Sequence, residues 1–212
     1  MQRAHGLEIP ETLEEVCDPR RMALLVYDMQ VGIVRHVRDA GAFTANVVRV
    51  VEAARRAGMR VLFARHLSLP NELAGVFQLR TAMAWQRVER VGEVRPLFLR
   101  DAPDFQLVPE LVPLPSEAVF DKLAMSMFVG TPLEMVLRDC GINAFAIVGA
   151  VTEIGIEPTV RHGADLGLIP VVVADACGSV DPAAGERALA SLDYALMSLR
   201  TDVDTFVGLL SS

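Results

Sequence analysis

Residues 145–167, FAIVGAVTEIGIEPTVRHGADLG, predict a β-strand that turns directly into an α-helix. The apolar run 144–148 is typical of a buried strand, and the helical pattern that follows Gly149 ends at Gly167. In a parallel sheet the first amides of such a helix lie at the carboxyl edge of the strands, where unpaired N–H groups can stabilise an anion. We therefore expect the floor of a pocket here, although an ordinary crossover between two strands has the same pattern.

Strand and helix patterns alternate on both sides of this segment. Apolar runs predict further strands at 22–27, 60–64, 118–120 and 170–174, with a last edge strand at 203–207. Helical patterns run from a cap at Thr44 to Gly58, from a capping box at 131–134 to Cys140, and from Asp181 to about Arg200. This alternation predicts an α/β fold with a parallel sheet and right-handed crossovers.

The length of 212 residues suits one α/β domain, which we place at residues 21–212. Residues 1–20 are polar and broken by Pro10 and Pro19, so we expect an arm that lies on the body or on a neighbouring subunit. The apolar runs are shorter than the roughly 18 residues of a membrane helix, and no secretory pattern is visible at the start. We expect a cytoplasmic protein that does not associate with membranes.

Charge and cysteine content narrow the possible partners. The formal net charge is −7 and the Lys and Arg residues do not cluster, so we expect no nucleic-acid partner and favour a small molecule. The three cysteines form no CxxC pair, which argues against a disulfide framework or a zinc ribbon. His66 has no second histidine or carboxylate at ligand spacing, and we expect neither a metal nor another cofactor.

Polar residues follow several of the predicted strands. Asp28 and Gln30 come after the run 22–27, His66 follows the second strand, and Lys122 follows the third. Ligands of open α/β sheets bind at the carboxyl ends of strands, so Asp28 and Lys122 are placed to stabilise each other's charge if their strands converge. The alternatives are a helix-capping aspartate and a solvated lysine, while His66 lines a pocket or has a structural role.

The segment 69–112 is irregular and interrupted by four prolines. It is long for a connection between a strand and a helix, so we expect it to cover the pocket or to contact another subunit. We accordingly expect a homo-oligomer, either a dimer or a tetramer.

Four motifs resemble the isochorismatase-like hydrolases, also called the cysteine hydrolase superfamily. They are Asp28-Met29-Gln30, Lys122 with Ser126 and Phe128, residues 149–155, and residues 175–178. The resemblance extends from about residue 20 to the end. It implies a three-layer, Rossmann-like fold in which a six-stranded, mostly parallel sheet is flanked by helices, and it implies hydrolysis of a small molecule.

The amidase branch of this superfamily uses an Asp-Lys-Cys triad. Asp28 and Lys122 match its first two members, but the third position falls on Gly155. A thioester route needs a thiolate at that position, so the covalent mechanism is not available to this sequence. The resemblance then points to the isochorismatase branch, in which glycine can occupy this position and an aspartate protonates a vinyl ether.

The resemblance implies that Asp28 exchanges a proton with the substrate and that Lys122 tunes the charge of Asp28 and holds the substrate. A cis peptide is expected at Ala150–Val151. Substrate contacts are expected from five further positions, Gln30, His66, Phe128, Val151 and Gly155, the last two through amides that bind an anionic oxygen. The alternatives are a catalytically silent relative that binds small molecules or assembles with other chains, and a lyase or isomerase that uses the same pair.

Overall fold

A six-stranded sheet with helices on both faces forms the centre of the computed structural model, which describes residues 1–211. The strand order is β5-β4-β3-β6-β7-β8, and every neighbouring pair is parallel. The predicted α/β fold is confirmed, and the sheet is parallel throughout rather than mostly parallel.

The elements have the following bounds. The strands are β1 Gln2–Ala4, β2 Leu7–Ile9, β3 Met22–Tyr27, β4 Arg60–His66, β5 Ala118–Lys122, β6 Ala144–Ala150, β7 Ile169–Gly178 and β8 Leu199–Thr201. The helices are α1 Leu13–Val16, α2 Val31–Val34, α3 Ala40–Arg56, α4 Val76–Gln86, α5 Leu133–Asp139, α6 Glu157–Asp165, α7 Pro182–Tyr194 and α8 Val203–Leu210. Among residues 1–211, no helix combines the length and the apolar character needed to cross a membrane.

Strand β3 lies at the middle of the sheet, between β4 and β6, and all six of its residues are buried. Successive side chains of a strand point to opposite faces. Leu24 and Val26 join the core beneath α3 and α8, whereas Leu25 and Tyr27 join the core beneath α5, α6 and α7. A continuous apolar run is the pattern of a strand covered on both faces, which explains why this segment was recognisable from sequence.

Two helix starts differ from their predictions. Helix α3 begins at Ala40 with Asp39 as its cap, so Thr44 is buried one turn inside the helix instead of capping it. Phe43 lies in this additional first turn and extends the buried apolar face of α3. At α5 the Thr131 hydroxyl accepts from the Leu133 amide at 3.3 Å, but Glu134 pairs with Arg138 instead of completing a capping box.

The predicted edge strand at 203–207 is wrong, because these residues begin helix α8. The Asp202 side chain accepts from the Thr205 amide at 2.8 Å and caps this helix. Val203 and Phe206 are three residues apart, so a helix buries both on one face. The edge strand is β8 instead, and α7 ends at Tyr194, before the predicted Arg200.

Residues 1–20 form a two-stranded antiparallel hairpin, β1 and β2, followed by the short helix α1. Thr12 caps α1 by accepting from the Glu15 amide at 3.2 Å. Val16 and Cys17 are buried in the core that includes β3, so the end of this segment is anchored in the body of the protein.

Gly149→Ala is expected to destabilise the fold far more than Gly141→Ala. Both glycines have positive φ, +121° and +69°, but an added Cβ at Gly149 would overlap the Tyr27 carbonyl oxygen, whereas Gly141 faces open space. We expect a loss of about 1 kcal/mol at Gly141 and at least about 3 kcal/mol at Gly149, measured by urea unfolding. Equal losses would show that β3 and β6 do not approach this closely.

Candidate active site

Three neighbouring strand ends bring together the two predicted catalytic residues. Lys122 ends β5 and pairs in register with His66 at the end of β4, while Asp28 follows β3 and donates its amide to the Ala64 carbonyl at 3.1 Å. Lys122 Nζ reaches past the end of β4 and lies 2.8 Å from Asp28 Oδ2. The structure therefore joins Asp28 and Lys122 in a direct ion pair.

The ion pair is almost fully removed from solvent. The side chain of Lys122 is 0% exposed and that of Asp28 is 6% exposed. Burial lowers the pKa of Lys122, and the negative charge of Asp28 acts in the opposite direction. Asp28 has φ of +44°, an uncommon conformation for a residue other than glycine and one that is often found at functional sites.

The two oxygens of Asp28 differ in their surroundings. Oδ2 accepts from Lys122, whereas Oδ1 is buried and has no hydrogen-bond partner within residues 1–211. A buried carboxylate oxygen without a donor is costly, because the lost water contact is not replaced. Asp28 is thus held by one oxygen and keeps the other for a proton or a donor group.

Lys122 is the only lysine in the chain, which carries 20 Lys and Arg residues in total. Lysine changes its protonation state readily when buried, whereas arginine stays charged. Lysine occurs here alone, and arginine occupies every other Lys or Arg position of the chain. The composition of the sequence therefore indicates that this position is special.

Tyr27 belongs to the same cluster and was missed in the sequence analysis. Its hydroxyl accepts from Lys122 Nζ at 2.7 Å and donates to the Met125 carbonyl, and its ring centroid lies 4.2 Å from Nζ. Burial and the charge of Asp28 raise the pKa of Tyr27, so the phenol remains protonated. A bulky aromatic residue directly before Asp28 was the available signal.

Gly155 is covered by the side chain of Tyr27. An added Cβ would overlap the Tyr27 hydroxyl and ring edge, so the phenol occupies the volume above this glycine. The Gly155 amide donates to the Val151 carbonyl at 2.9 Å within the turn Thr152–Ile156. This amide is thus already hydrogen-bonded within the chain, and its contact with a substrate oxygen stays a prediction. Val151 is buried and follows a cis peptide at Ala150–Val151, where the resemblance placed it.

Gln30 organises the backbone instead of presenting a free group to a substrate. Its Nε2 donates to the carbonyls of His66 at 3.1 Å and Phe105 at 2.9 Å, and its Oε1 accepts from the His66 amide at 2.6 Å. The residue is fully buried, so all of these bonds are shielded from water. Gln30 thereby fixes the end of β4 beside Asp28, and its contact with a substrate stays a prediction.

Phe128 is also a core residue and does not contact the cleft described below. Its ring packs against Phe145 and His162, with centroid separations of 6.0 Å and 5.3 Å. Ser126 Oγ lies 2.9 Å from His162 Nδ1 and accepts from the Phe128 amide. The motif that follows Lys122 therefore connects β5 to α6, and a substrate contact by Phe128 stays a prediction.

A cleft of about 440 Å³ lies beside the ion pair and is lined largely by apolar residues of segment 66–98. Helix α4 forms one wall, as expected for a segment that covers a pocket. His66 lines the cleft and packs edge-on against Phe98. Burial lowers the pKa of His66, so its ring is neutral near neutral pH.

Residues 123–125 form the wall between the cleft and the ion pair. They line the cleft on one side. On the other side the carbonyl of Ala124 accepts from Lys122 Nζ at 3.3 Å, and that of Met125 accepts from Tyr27. Asp28 and Lys122 therefore lie behind this loop and His66.

The cysteines are not placed as nucleophiles. The Cys177 thiol points to the Ile147 carbonyl, with a separation of 3.6 Å, and burial raises its pKa. Burial also raises the pKa of Cys17, to about 11. Within residues 1–211, no group of three or more His, Cys, Asp and Glu side chains could hold a metal ion.

The parallel sheet and the buried Asp28–Lys122 pair together define an α/β protein with a buried ion pair at the carboxyl edge of its strands. The family model of the isochorismatase domain matches residues 22–202, which is most of the chain. The chain belongs to the isochorismatase family.

Solved structures of other proteins share this fold. A cysteine hydrolase from Pseudomonas syringae pv. phaseolicola 1448A matches with a TM-score of 0.77 and 22% identity, over 91% of this chain and 93% of that chain. The N-carbamoylsarcosine amidase from Thermoplasma acidophilum has a TM-score of 0.70 and 23% identity, with coverages of 87% and 97%. The nicotinamidase from Bacillus subtilis has a TM-score of 0.72 and 19% identity, with coverages of 86% and 99%. At these identities the likeness shows a shared fold alone.

Replacing only one residue of the Asp28–Lys122 ion pair is expected to lower the free energy of unfolding more than replacing both residues together. Lys122→Met leaves a buried carboxylate without its cation, and such changes cost about 3–5 kcal/mol. We expect Asp28→Asn with Lys122→Met to cost clearly less than the sum of the single losses in urea unfolding.

The exposed pair Arg138 and Glu134 provides the matched control for this cycle. Arg138→Met and Glu134→Gln should each change the unfolding free energy by only about 0.5 kcal/mol, with little coupling. Additive losses at Asp28 and Lys122 would contradict the direct contact between them.

Proposed function

We propose that this chain is a hydrolase of a small, anionic or cyclic molecule, with Asp28 as general acid and base and without a covalent intermediate. The closest model is the vinyl-ether hydrolysis catalysed by isochorismatases. The observation that carries this proposal is the free Oδ1 of Asp28 beside an oxygen that Lys122 holds in place. General acid and base groups of this kind contribute about 100-fold to 10,000-fold to a rate.

In this mechanism the Asp28 carboxylate of the ion pair first takes up a solvent proton at Oδ1 and then delivers it to the terminal carbon of the vinyl ether. A C–H bond forms, and the resulting oxocarbenium ion is attacked by water, which returns a proton to the Asp28 carboxylate. The hemiketal then breaks its C–O bond and releases an alcohol and a ketone. No step requires a thiol, in agreement with a glycine at position 155.

The cleft supports a small substrate with an apolar body and at least one negative charge. Its lining includes the side chains of Phe77, Trp85 and Phe98, which suit a ring, and Arg95, which suits a carboxylate. Neutral His66 can donate a hydrogen bond at the end nearest Asp28. In the proposed reaction the loop 123–125 moves to admit the substrate to Asp28.

A second candidate function is small-molecule binding without turnover. The burial of Asp28 and Lys122 behind residues 123–125 favours it, because the cleft as formed does not expose either residue. A binding protein would use the cleft and retain the ion pair only as part of the fold.

Isochorismate is the substrate with which to test these alternatives, with pyruvate release as the signal and calorimetry as the binding assay. We expect turnover by the wild type and a loss of about 100-fold to 10,000-fold in Asp28→Asn, because the variant keeps the shape but cannot exchange the proton. The exposed Asp165→Asn is the matched control and should be unaffected.

Near wild-type turnover in Asp28→Asn would overturn the mechanism. Binding of isochorismate without any pyruvate release would support the second candidate. Absence of both binding and turnover would exclude isochorismate as a model of the substrate.

We also propose that the protein is a homo-oligomer in which a second copy covers α4. This helix has no buried residue, and it exposes 87% of Val76, 74% of Phe77 and 59% of Trp85. An 11-residue helix is marginal without tertiary packing, so a partner surface would stabilise it.

Light scattering after gel filtration tests this association. Phe77→Asp should lower the particle mass to that of one chain, whereas Tyr194→Asp, at a side chain that is 92% exposed on α7, should not. A wild type that stays monomeric across micromolar concentrations would contradict the proposal.

A further inference from the structure

Tyr27 and Gly155 fit together sterically. The phenol ring fills the space where any side chain at position 155 would begin, because an added Cβ would overlap the hydroxyl oxygen, Cζ and Cε1 of Tyr27. Tyr27 is only 1% exposed and lies at the end of a central strand. The ring therefore has no open space into which it could retreat.

The same phenol completes the hydrogen bonding of Lys122. An ammonium group has three protons to donate. The three acceptors of Nζ are Asp28 Oδ2 at 2.8 Å, Tyr27 Oη at 2.7 Å and the Ala124 carbonyl at 3.3 Å. Without Tyr27, one proton of a buried cation would lose its partner, and the group could turn away from Asp28.

We propose that Tyr27 replaces the missing side chain at position 155 and acts as a positioning residue that holds the Lys122 ammonium against Asp28. Tyr27 fills the volume next to Gly155, and its hydroxyl provides the third acceptor of Nζ. The consequence for catalysis rests on the proposed function, whereas the steric pairing and the orientation of Lys122 do not.

The steric part is tested by the thermal stability of Gly155→Ala in two backgrounds. In the wild type this change should lower the melting temperature by roughly 10 °C or more, because Cβ and phenol cannot both be accommodated. In a Tyr27→Val background the same change should cost less than half as much, because the ring is gone.

Gly41→Ala is the matched control, since its Cβ would enter open space. Its effect should be small and the same in both backgrounds. An equal cost of Gly155→Ala with and without the ring would overturn the steric pairing.

The positioning part is tested by NMR on protein labelled with ¹³C and ¹⁵N in lysine. Since Lys122 is the only lysine, a single side-chain signal reports its titration. Tyr27→Phe keeps the ring but removes the acceptor of the cation. The charged form is then less stable, so the titration midpoint should fall by about one pH unit.

Tyr194→Phe is the control, because Tyr194 is the only other tyrosine and is exposed. It should leave the midpoint unchanged. An unchanged midpoint in Tyr27→Phe would overturn the positioning role, whether or not the protein hydrolyses isochorismate. If the wild type does so, Tyr27→Phe should lower kcat about tenfold with little change in KM.

Discussion

The buried contact between Lys122 and Asp28 is the interaction around which the carboxyl edge of the sheet is arranged. Two charges removed from water are tolerated only when they are paired and when their remaining hydrogen-bonding groups are satisfied. Lys122 meets this condition with acceptors from three places: Asp28 after β3, Tyr27 within β3, and the Ala124 carbonyl in the next loop. One ammonium group thus connects β3, β5 and the loop that forms the wall of the cleft.

The arrangement leaves the pair asymmetric, which is what acid–base chemistry requires. Every proton of Lys122 has an acceptor, whereas Asp28 retains one oxygen without a partner among the described residues. The cation is therefore oriented by three acceptors, whereas one carboxylate oxygen is left for the proton exchange of the proposed mechanism. The only lysine of the chain suits this position, because its three donors match the three acceptors present. An arginine would bring more donors than these acceptors can satisfy.

Local sequence patterns predicted five of the six strands of the main sheet, because apolar runs identify buried strands. They left the contact of Asp28 with Lys122 conditional on the strands converging, and the family resemblance paired the two residues. They did not predict what Gln30 and Phe128 contact, since the partners of these side chains come from distant segments, such as Phe105 and Phe145. The error at α8 has a different origin. Asp202 is a possible helix cap and Val203, Phe206 and Val207 have helical spacing, but a segment this short is also compatible with a strand.

Gly155 shows that the absence of a side chain can be misinterpreted when only that position is considered. A glycine at a nucleophile position suggests an empty space that a ligand could enter, yet Tyr27 at the end of the neighbouring strand β3 fills this space. The protein interior is close-packed, so the loss of a side chain leaves a cavity unless another side chain fills the space. Here the compensating residue also takes part in the hydrogen bonding of Lys122, so position 155 and position 27 must be considered together. A thiol could be introduced at 155 only together with a smaller residue at 27, and that second change would remove one of the three acceptors that orient the cation.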